Sequence, residues 1–204
     1  TIDDLTCILG ETHDDDGTTL FVETYTWEIN GLVHGTSDQT LLSTEHQKGD
    51  VISCSAFISD AFTSSTVATS LSVTIENSPP SLDSLTITPA SAFSTDTLTC
   101  APSGYVDVDG DPDETNFEWF VNGLSVGHAQ SINGLFFGGD VVSCTATPYD
   151  GFVVGEPLSQ EITIENSLPI LASATAAPES PTVTDTITCS AGAVLDEDGP
   201  FTGT

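Results

Sequence analysis

Carboxylate-rich loops are the part of this chain whose residue types and spacing suit chemistry, namely the binding of a metal ion. Seven residues after Cys7, Cys100 and Cys189 the sequence begins the pattern Asp-x-Asp-Gly each time. Alternating carboxylates before a turn-forming glycine suit Ca²⁺, which takes about six to eight oxygen ligands. A complete EF-hand loop is excluded, because Pro112 occupies the sixth position of the middle copy, where that loop requires glycine. The alternative is a solvated turn, since Asp and Gly favour turns in any acidic protein.

These loops belong to a sequence repeat whose leading cysteines lie 93 and 89 residues apart. Four blocks recur in the same order, which chance does not explain: 96–100 with 185–189, 27–32 with 119–124, 49–54 with 139–144, and 74–78 with 163–167. We therefore predict three domains: repeat 1 at 1–77 without its first strand, a complete repeat 2 at 78–167, and the N-terminal part of repeat 3 at 168–204. The phase of the repeat predicts a longer parent chain with further copies.

The complete middle repeat predicts an all-β fold. Residues 82–88 alternate apolar and polar side chains, as a half-buried strand does. Asn122-Gly123 is a strong hairpin signal, because a type I′ turn needs positive φ at both central residues. About seven short, evenly spaced strands without helical periodicity indicate a β-sandwich. The predicted architecture is a series of tandem Ig-like β-sandwich repeats, each with a disulfide between its two sheets.

The cysteines fit that architecture, in which two facing strands carry a disulfide with a tryptophan packed against it. The predicted pairs and their core tryptophans are Cys7–Cys54 with Trp27 and Cys100–Cys144 with Trp119. Cys189 is expected to pair with a cysteine beyond the end of this sequence. Zinc binding is the rival interpretation, but single cysteines about 45 residues apart lack the close pairs of a zinc site. Disulfides indicate an oxidising compartment and therefore export.

Four motifs carry a resemblance to a known family: the leading Cys block, the Trp-x-x-Asn-Gly hairpin, the Gly-Asp-Val-x-Ser-Cys strand and the Asn-Ser-(Pro/Leu)-Pro junction. With them the chain resembles bacterial Ig-like repeats, related to PKD and fibronectin type III modules of large secreted or cell-surface proteins. The resemblance implies the architecture but no biochemical role. Antibody-type domains carry a tyrosine two residues before the second cysteine, whereas Ile52 and Val142 stand there. The acidic loops are similar to partial Asp-x-Asp-Gly-x-x-Asp loops of calcium-bearing surface repeats.

The topology of such a sandwich brings three acidic segments to one end of a repeat: the loop after the second strand, the loop between the last two strands, and the junction with the preceding repeat. The oxygen donors predicted for calcium are Asp14, Asp16, Asp60, Asn77, Asp107, Asp109, Asp111, Asp113, Asp150, Asn166, Asp196 and Asp198. The middle site is expected to be the tightest, and the first weaker because Leu20 replaces its fourth carboxylate. Calcium at these places would restrict bending between repeats.

The charge of the chain disfavours several partners. It has 31 acidic residues and one basic residue, Lys48, which gives a net charge of −30. Such an imbalance is typical of disorder, but the strand-like alternation favours a folded chain with an acidic surface. That surface repels phosphate backbones and anionic lipids, so nucleic acid is not an expected partner. No stretch approaches the ~20 apolar residues of a membrane span, so direct membrane insertion is not expected either.

No active site is expected. Residues 123–127 match the Gly-x-Ser-x-Gly nucleophile pattern, but they follow a hairpin turn rather than forming the strand–turn–helix that this pattern needs. The four histidines do not recur at equivalent positions of the repeats. The chain is therefore predicted not to be an enzyme.

Two functions at the cell surface or in the extracellular space remain. The first is a structural component of a stalk, sheath or filament, which contacts neighbouring repeats and other copies of the chain. The alternative is an adhesin or a carbohydrate- or surface-binding repeat array, accessory to a larger exported protein. Carbohydrate binding usually needs exposed aromatic residues on one face. Tyr25, Tyr105 and Tyr149 form no repeated set, which favours the structural hypothesis.

Overall fold

The computed structural model describes residues 3–15, 20–60 and 62–198. Within them the fold is all-β, as predicted, and the one helical element is a 3₁₀ turn at Ser43–Glu45. The chain divides into two compact units. The first comprises Thr1–Pro80, Val106–Pro112 and Asp150–Val153, and the second comprises Ser81–Tyr105, Asp113–Tyr149 and Val154–Thr204. Two loops of the middle sequence repeat are therefore part of the first unit.

The first unit is built on two sheets. Its strands within the described residues are β1 (Leu5–Thr6), β2 (Val22–Ile29), β3 (Leu32–Val33), β4 (Thr40–Leu41), β5 (Val51–Ser59), β6 (Ala68–Thr69) and β7 (Val73–Thr74). The order of the larger sheet is β3-β2-β5-β6, with β7 also paired to β5, and β1 pairs with β4. Every second residue of β5 from Ile52 to Ala56 is buried, as expected of a strand with one buried face. These residues pack with Trp27 and Leu41 in one hydrophobic core.

The second unit has a larger core between two sheets. Its strands within the described residues are β8 (Ser84–Thr88), β9 (Leu98–Ser103), β10 (Asn116–Val121), β11 (Leu124–Gly127), β12 (Ser131–Ile132), β13 (Val141–Thr147), β14 (Leu158–Thr163), β15 (Ile170–Leu171), β16 (Ala174–Ala177), β17 (Thr188–Ala191) and β18 (Val194–Leu195). The sheet β11-β10-β13-β14 and the sheet β12-β9-β8 contribute side chains to the same core, among them Ile87, Leu98, Trp119 and Val142. The pairs β15-β18 and β16-β17 lie in a segment whose side chains, from 168 to 195, are all exposed.

The two disulfides join the cysteines that were predicted to pair, Cys7 with Cys54 and Cys100 with Cys144. In both units the tryptophan lies directly opposite the second cysteine on the neighbouring strand, Trp27 opposite Cys54 and Trp119 opposite Cys144. Each buried indole N–H donates to a backbone carbonyl eleven or ten residues further on, at 2.9 and 2.8 Å. Cross-links between residues 47 and 44 positions apart stabilise each unit by ~4 kcal/mol in the chain-entropy model. Cys189 is exposed and forms no disulfide within the described residues.

The Asn-Gly turns make a second contact that recurs in both units. Asn122 and Gly123 have φ values of 49° and 79°, the left-handed conformation that a type I′ turn needs. The Asn122 side chain also donates to Oδ1 of Asp140 at 2.7 Å and accepts from the backbone N–H of Val141 at 3.0 Å. The same two contacts recur around Asn30 in the first unit. The Trp-x-x-Asn-Gly and Gly-Asp-Val motifs therefore recur together because the asparagine of one binds the aspartate of the other.

We expect Asn122→Gly to lower the free energy of unfolding by about 1 kcal/mol, because glycine keeps the left-handed backbone but loses both side-chain contacts. Asn122→Ala should cost about 1 kcal/mol more, since alanine also strains the positive φ. Urea unfolding of the full chain, followed by tryptophan fluorescence, measures both changes. Asn133→Gly, at an exposed asparagine outside these turns, is the control. A glycine variant at 122 that unfolds at the wild-type urea concentration would show that the side-chain contacts contribute nothing.

Candidate metal centre

The acidic loop of the first unit folds around the carboxylate of Asp107. Its Oδ1 atom accepts hydrogen bonds from the backbone N–H groups of Asp109, at 2.8 Å, and Asp111, at 3.0 Å. Gly110 has a φ of 79°, a left-handed value that favours glycine. The Asp-x-Asp-Gly pattern thus forms a self-stabilised turn, as the solvated-turn alternative requires. The turn uses only Oδ1 of Asp107, however, and leaves Oδ2 for another partner.

Asp150, in the loop between β13 and β14, is the most deeply buried carboxylate of the described residues, with 1% of its surface exposed. Its Oδ1 atom accepts from the backbone N–H groups of Phe152 and Val153, both at 2.7 Å, and Oδ2 accepts from Nδ2 of Asn77 at 2.7 Å. Burial raises the pKa of Asp150, but these three donors outweigh it and hold the pKa below its usual value. The buried carboxylate is therefore charged at neutral pH, which calls for a positive partner.

Asp150 lies beside the acidic loop. Asp107, Asp111 and Asp150 each offer one carboxylate oxygen, and these three atoms lie within 4.8 Å of one another. We call the three residues the acidic triad. Oxygens bound to one Ca²⁺ at about 2.3–2.6 Å from the ion lie within about 5 Å of one another, so the spacing fits a single ion. Three carboxylates this close repel one another, and a cation between them removes the repulsion.

Two oxygen atoms at the triad have no hydrogen-bond partner although solvent does not reach them: Oδ2 of Asp107 and Oδ1 of Asn77. Asn77 belongs to the site because its amide nitrogen donates to Asp150. Buried polar atoms are nearly always satisfied, and an exception points to a bound water or ion. Carboxylate and amide oxygens are both ligands that Ca²⁺ accepts. The residues present therefore fit a calcium ion, and they include four of the predicted ligands.

Lys48, the single basic residue of the sequence, also lies at the triad. Its ammonium group donates to Oδ2 of Asp111 and lies 3.9 Å from the centre of the Phe152 ring. The lysine and aspartate side chains of this ion pair are mostly buried, at 26% and 17% exposed. Neither Lys48 nor Phe152 was among the predicted site residues. The sequence feature that could have indicated Lys48 is that it is the one basic residue among 31 acidic ones.

The second carboxylate of the acidic loop binds the junction segment rather than joining the triad. Oδ2 of Asp109 accepts from the backbone N–H of Ser78 at 2.6 Å. In the second unit Oδ2 of Asp198 accepts from the backbone N–H of Ser167 and, at 2.7 Å, from its hydroxyl group. The Ser167 hydroxyl is the main cause of a lowered pKa at Asp198, and burial partly opposes it. Asp109 and Asp198, predicted as calcium ligands, therefore hold equivalent serines of the two junctions.

Two of the remaining predicted ligands of the first and middle repeats, Asp60 and Asp113, make local contacts. Asp113 is exposed, and its Oδ1 atom accepts from the backbone N–H and the hydroxyl of Thr115, at 2.9 and 2.6 Å. Asp60 accepts two backbone N–H groups of its own loop at 2.8 and 2.6 Å, as Asp150 does in the middle repeat. Asp14 lines the same pocket as Asp60. Asp16 lies outside the described residues.

The predicted ligands of the third repeat lie in the second unit. Oδ1 of Asp196 accepts from the backbone N–H of Asp198 at 3.0 Å, which repeats the turn found at Asp107. Asn166 donates to the carbonyl oxygen of Ser167 at 2.5 Å. Oδ1 of Asp198 is buried without a hydrogen-bond partner. Within residues 3–15, 20–60 and 62–198, the acidic triad is nevertheless the one set of three such groups close enough to share an ion.

No protein-family model matches the chain, and no curated protein matches it significantly. Among the described residues, no helix has the length and apolar character needed to cross a membrane.

The hydrogen bonds to Asp150 predict how its contribution to stability depends on pH. Because its pKa in the folded state is below the usual 3.8, the charged form stabilises the fold above that value, and this contribution is lost as the pH falls through the folded-state pKa. We expect the difference in free energy of unfolding between the wild type and Asp150→Asn, measured without calcium, to be largest near neutral pH and to shrink below about pH 4.

Urea unfolding at a series of pH values measures that difference. Asp113→Asn, which changes an exposed carboxylate outside the triad, is the matched control. A difference between wild type and Asp150→Asn that stays constant from neutral to strongly acid pH contradicts the assignment of a charged, hydrogen-bonded Asp150.

Proposed function

We propose that this chain is a structural segment of an extracellular stalk, sheath or filament, in which Ig-like β-sandwich repeats are stiffened by calcium at their acidic loops. The observation that carries this proposal is the acidic triad with its two buried, unpartnered oxygens, at Asp107 and Asn77. A structural cation explains them together, because it satisfies the oxygens and neutralises the carboxylates.

The sheets of the second unit support the Ig-like architecture. A four-stranded and a three-stranded antiparallel sheet share one core, and the bridge from Cys100 on β9 to Cys144 on β13 connects them. Trp119 is completely buried in that core. A disulfide between sheets with a tryptophan beside it is the arrangement expected of an Ig-like sandwich. The Cys7–Cys54 bridge of the first unit repeats it with Trp27.

The two disulfides support the hypothesis that the protein is exported from the cell. Disulfides persist in oxidising compartments and are rare in the reducing cytosol. Both bridges here join buried cysteines at the centres of hydrophobic cores, so they are built into the fold. A protein held together in this way is suited to mechanical or structural work outside the cell.

Calcium at the triad would fix several segments of the first unit at once. Asn77 belongs to the junction segment, whereas Asp107 and Asp111 lie in the loop after β9, and Asp150 lies in the loop after β13. The junction continues into two prolines, whose φ angles are fixed by their rings. One ion would therefore hold two loops against a segment that is already stiff. This is the physical basis for calcium-dependent stiffening.

The calcium proposal is tested by titrating the calcium-free full chain with Ca²⁺ in a calorimeter and by measuring its melting temperature. We expect a heat of binding and a melting temperature that rises with calcium, because a ligand that binds the folded state stabilises it. Asp111→Asn should weaken this binding by about tenfold or more, because a charged ligand is lost.

Asp113→Asn makes the same change of charge two residues away, outside the triad, and should bind calcium like the wild type. Absence of both the heat and the rise in melting temperature in the wild type would show that the triad does not hold calcium. If both substitutions weakened calcium binding equally, the loss would come from the change in overall charge and not from the loss of a ligand at the triad.

The structural role is tested separately by immunogold labelling of the producing cells with an antibody raised against this chain. We expect the label on stalks, sheaths or filaments outside the cell, because the disulfides need an oxidising environment. Label confined to the cytoplasm contradicts the proposal whatever the result with calcium.

A further inference from the structure

We propose that the ammonium group of Lys48 is a built-in competitor of calcium at the acidic triad, so that calcium binds only as Lys48 leaves Asp111. This inference rests on the calcium site proposed above and concerns its regulation. It starts from the position of the single basic side chain of the chain, which lies at the set of carboxylates best arranged for a cation.

The contacts of Lys48 place a positive charge against one member of the acidic triad. Its ammonium donates to Oδ2 of Asp111, one of the triad carboxylates, and lies 3.9 Å from the centre of the Phe152 ring. Both charged side chains are largely removed from solvent, so the ion pair is poorly screened. An aromatic face beside the ammonium adds attraction of the cation–π kind. Lys48 therefore neutralises one charge of the triad when no other cation is bound.

The lysine does not complete the site. Oδ2 of Asp107 and Oδ1 of Asn77 stay buried and without a hydrogen-bond partner while Lys48 holds Asp111. One ammonium carries one positive charge and three donors, whereas the triad carries three carboxylates. Ca²⁺ brings two charges and takes about six to eight oxygens, so it offers more charge and more coordination positions than the ammonium group does. The two cations repel each other and share Asp111 as a ligand, so they exclude one another.

The corresponding position of the middle repeat carries no such group. Gly138 aligns with Lys48, and a Cβ atom there would lie 2.6 Å from Cγ of Asp198 and 3.0 Å from Cα of Asn166. A side chain at this position would require the Asp198 carboxylate to shift and would lie tightly against the backbone of Asn166. The ammonium group of Lys48 is therefore found only in the first unit, and it is not part of the repeated motifs.

Calcium titration of the full chain carrying Lys48→Gln tests the competition. Glutamine keeps most of the length of lysine without its charge, so we expect calcium to bind about tenfold more tightly than in the wild type, a difference of about 1.4 kcal/mol. Lys48→Arg, which keeps the charge, should stay near the wild-type affinity. In EDTA the melting temperature of Lys48→Gln should fall below that of the wild type, and with calcium it should recover. That recovery also shows that the variant folds.

A second readout uses the fact that the chain has a single lysine. Lys48 is labelled with an amine-reactive ester, and peptide mass spectrometry separates this product from the labelled chain terminus. We expect the rate of labelling at Lys48 to rise several-fold on addition of calcium. Calcium affinity that is the same in wild type and Lys48→Gln, with no change in labelling, overturns the competition but leaves the calcium site intact. Absence of calcium binding in both proteins overturns the site and the competition together.

Discussion

The burial of the charged Asp150 carboxylate is the constraint on which the candidate site depends. A buried charge without partners costs several kcal/mol, so its neighbours must supply donors and positive charge. Two donors are backbone N–H groups of its own loop, and the third is the side chain of Asn77 from the junction segment. The position of that segment is thus tied to the charge of Asp150. The carboxylates of Asp107 and Asp111 then add negative charge at the same place, which makes a cation the natural remaining component.

Two members of the acidic triad lie at fixed sequence offsets from the two cysteines of one disulfide. Asp107 follows Cys100 by seven residues and Asp150 follows Cys144 by six, and the first repeat has the same two offsets. Because Cys100 and Cys144 are joined across the core of the second unit, the two strands that carry them are held together. The contact between Asn122 and Asp140 adds a second tie between β10 and the start of β13. The acidic loops therefore recur at constant sequence spacing from the cysteines.

Much of this could be predicted from the sequence, because the signals were periodic or paired. The all-β class followed from alternation, and the cystine pairs followed from the order of Cys, Trp and Cys around each core. Asn77, the triad and its acidic neighbours were all named as oxygen donors, but the sequence could not separate them by role. A carboxylate in such a loop can bind an ion, or it can accept hydrogen bonds from its own turn or from the junction segment. Which of these it does depends on its distance from each group in the folded chain. Asp109 binds Ser78 for this reason, although its spacing matches that of a ligand. Lys48 was missed because it lies 63 residues from Asp111 and belongs to no repeated motif.

The two junction segments show how one repeated motif can carry sites of different character. Asp109 and Asp198 make the same bond to an equivalent serine, so the local architecture is shared. The positive charge beside them differs, since Lys48 pairs with Asp111 in the first unit, whereas Gly138 stands at the equivalent position of the second unit, tightly against Asp198 and Asn166. Position 48 lies outside the disulfide, the tryptophan and the core strands, so these shared elements do not decide whether a lysine stands beside the site. The charge beside each junction can therefore differ while the disulfide, the tryptophan and the core strands stay the same.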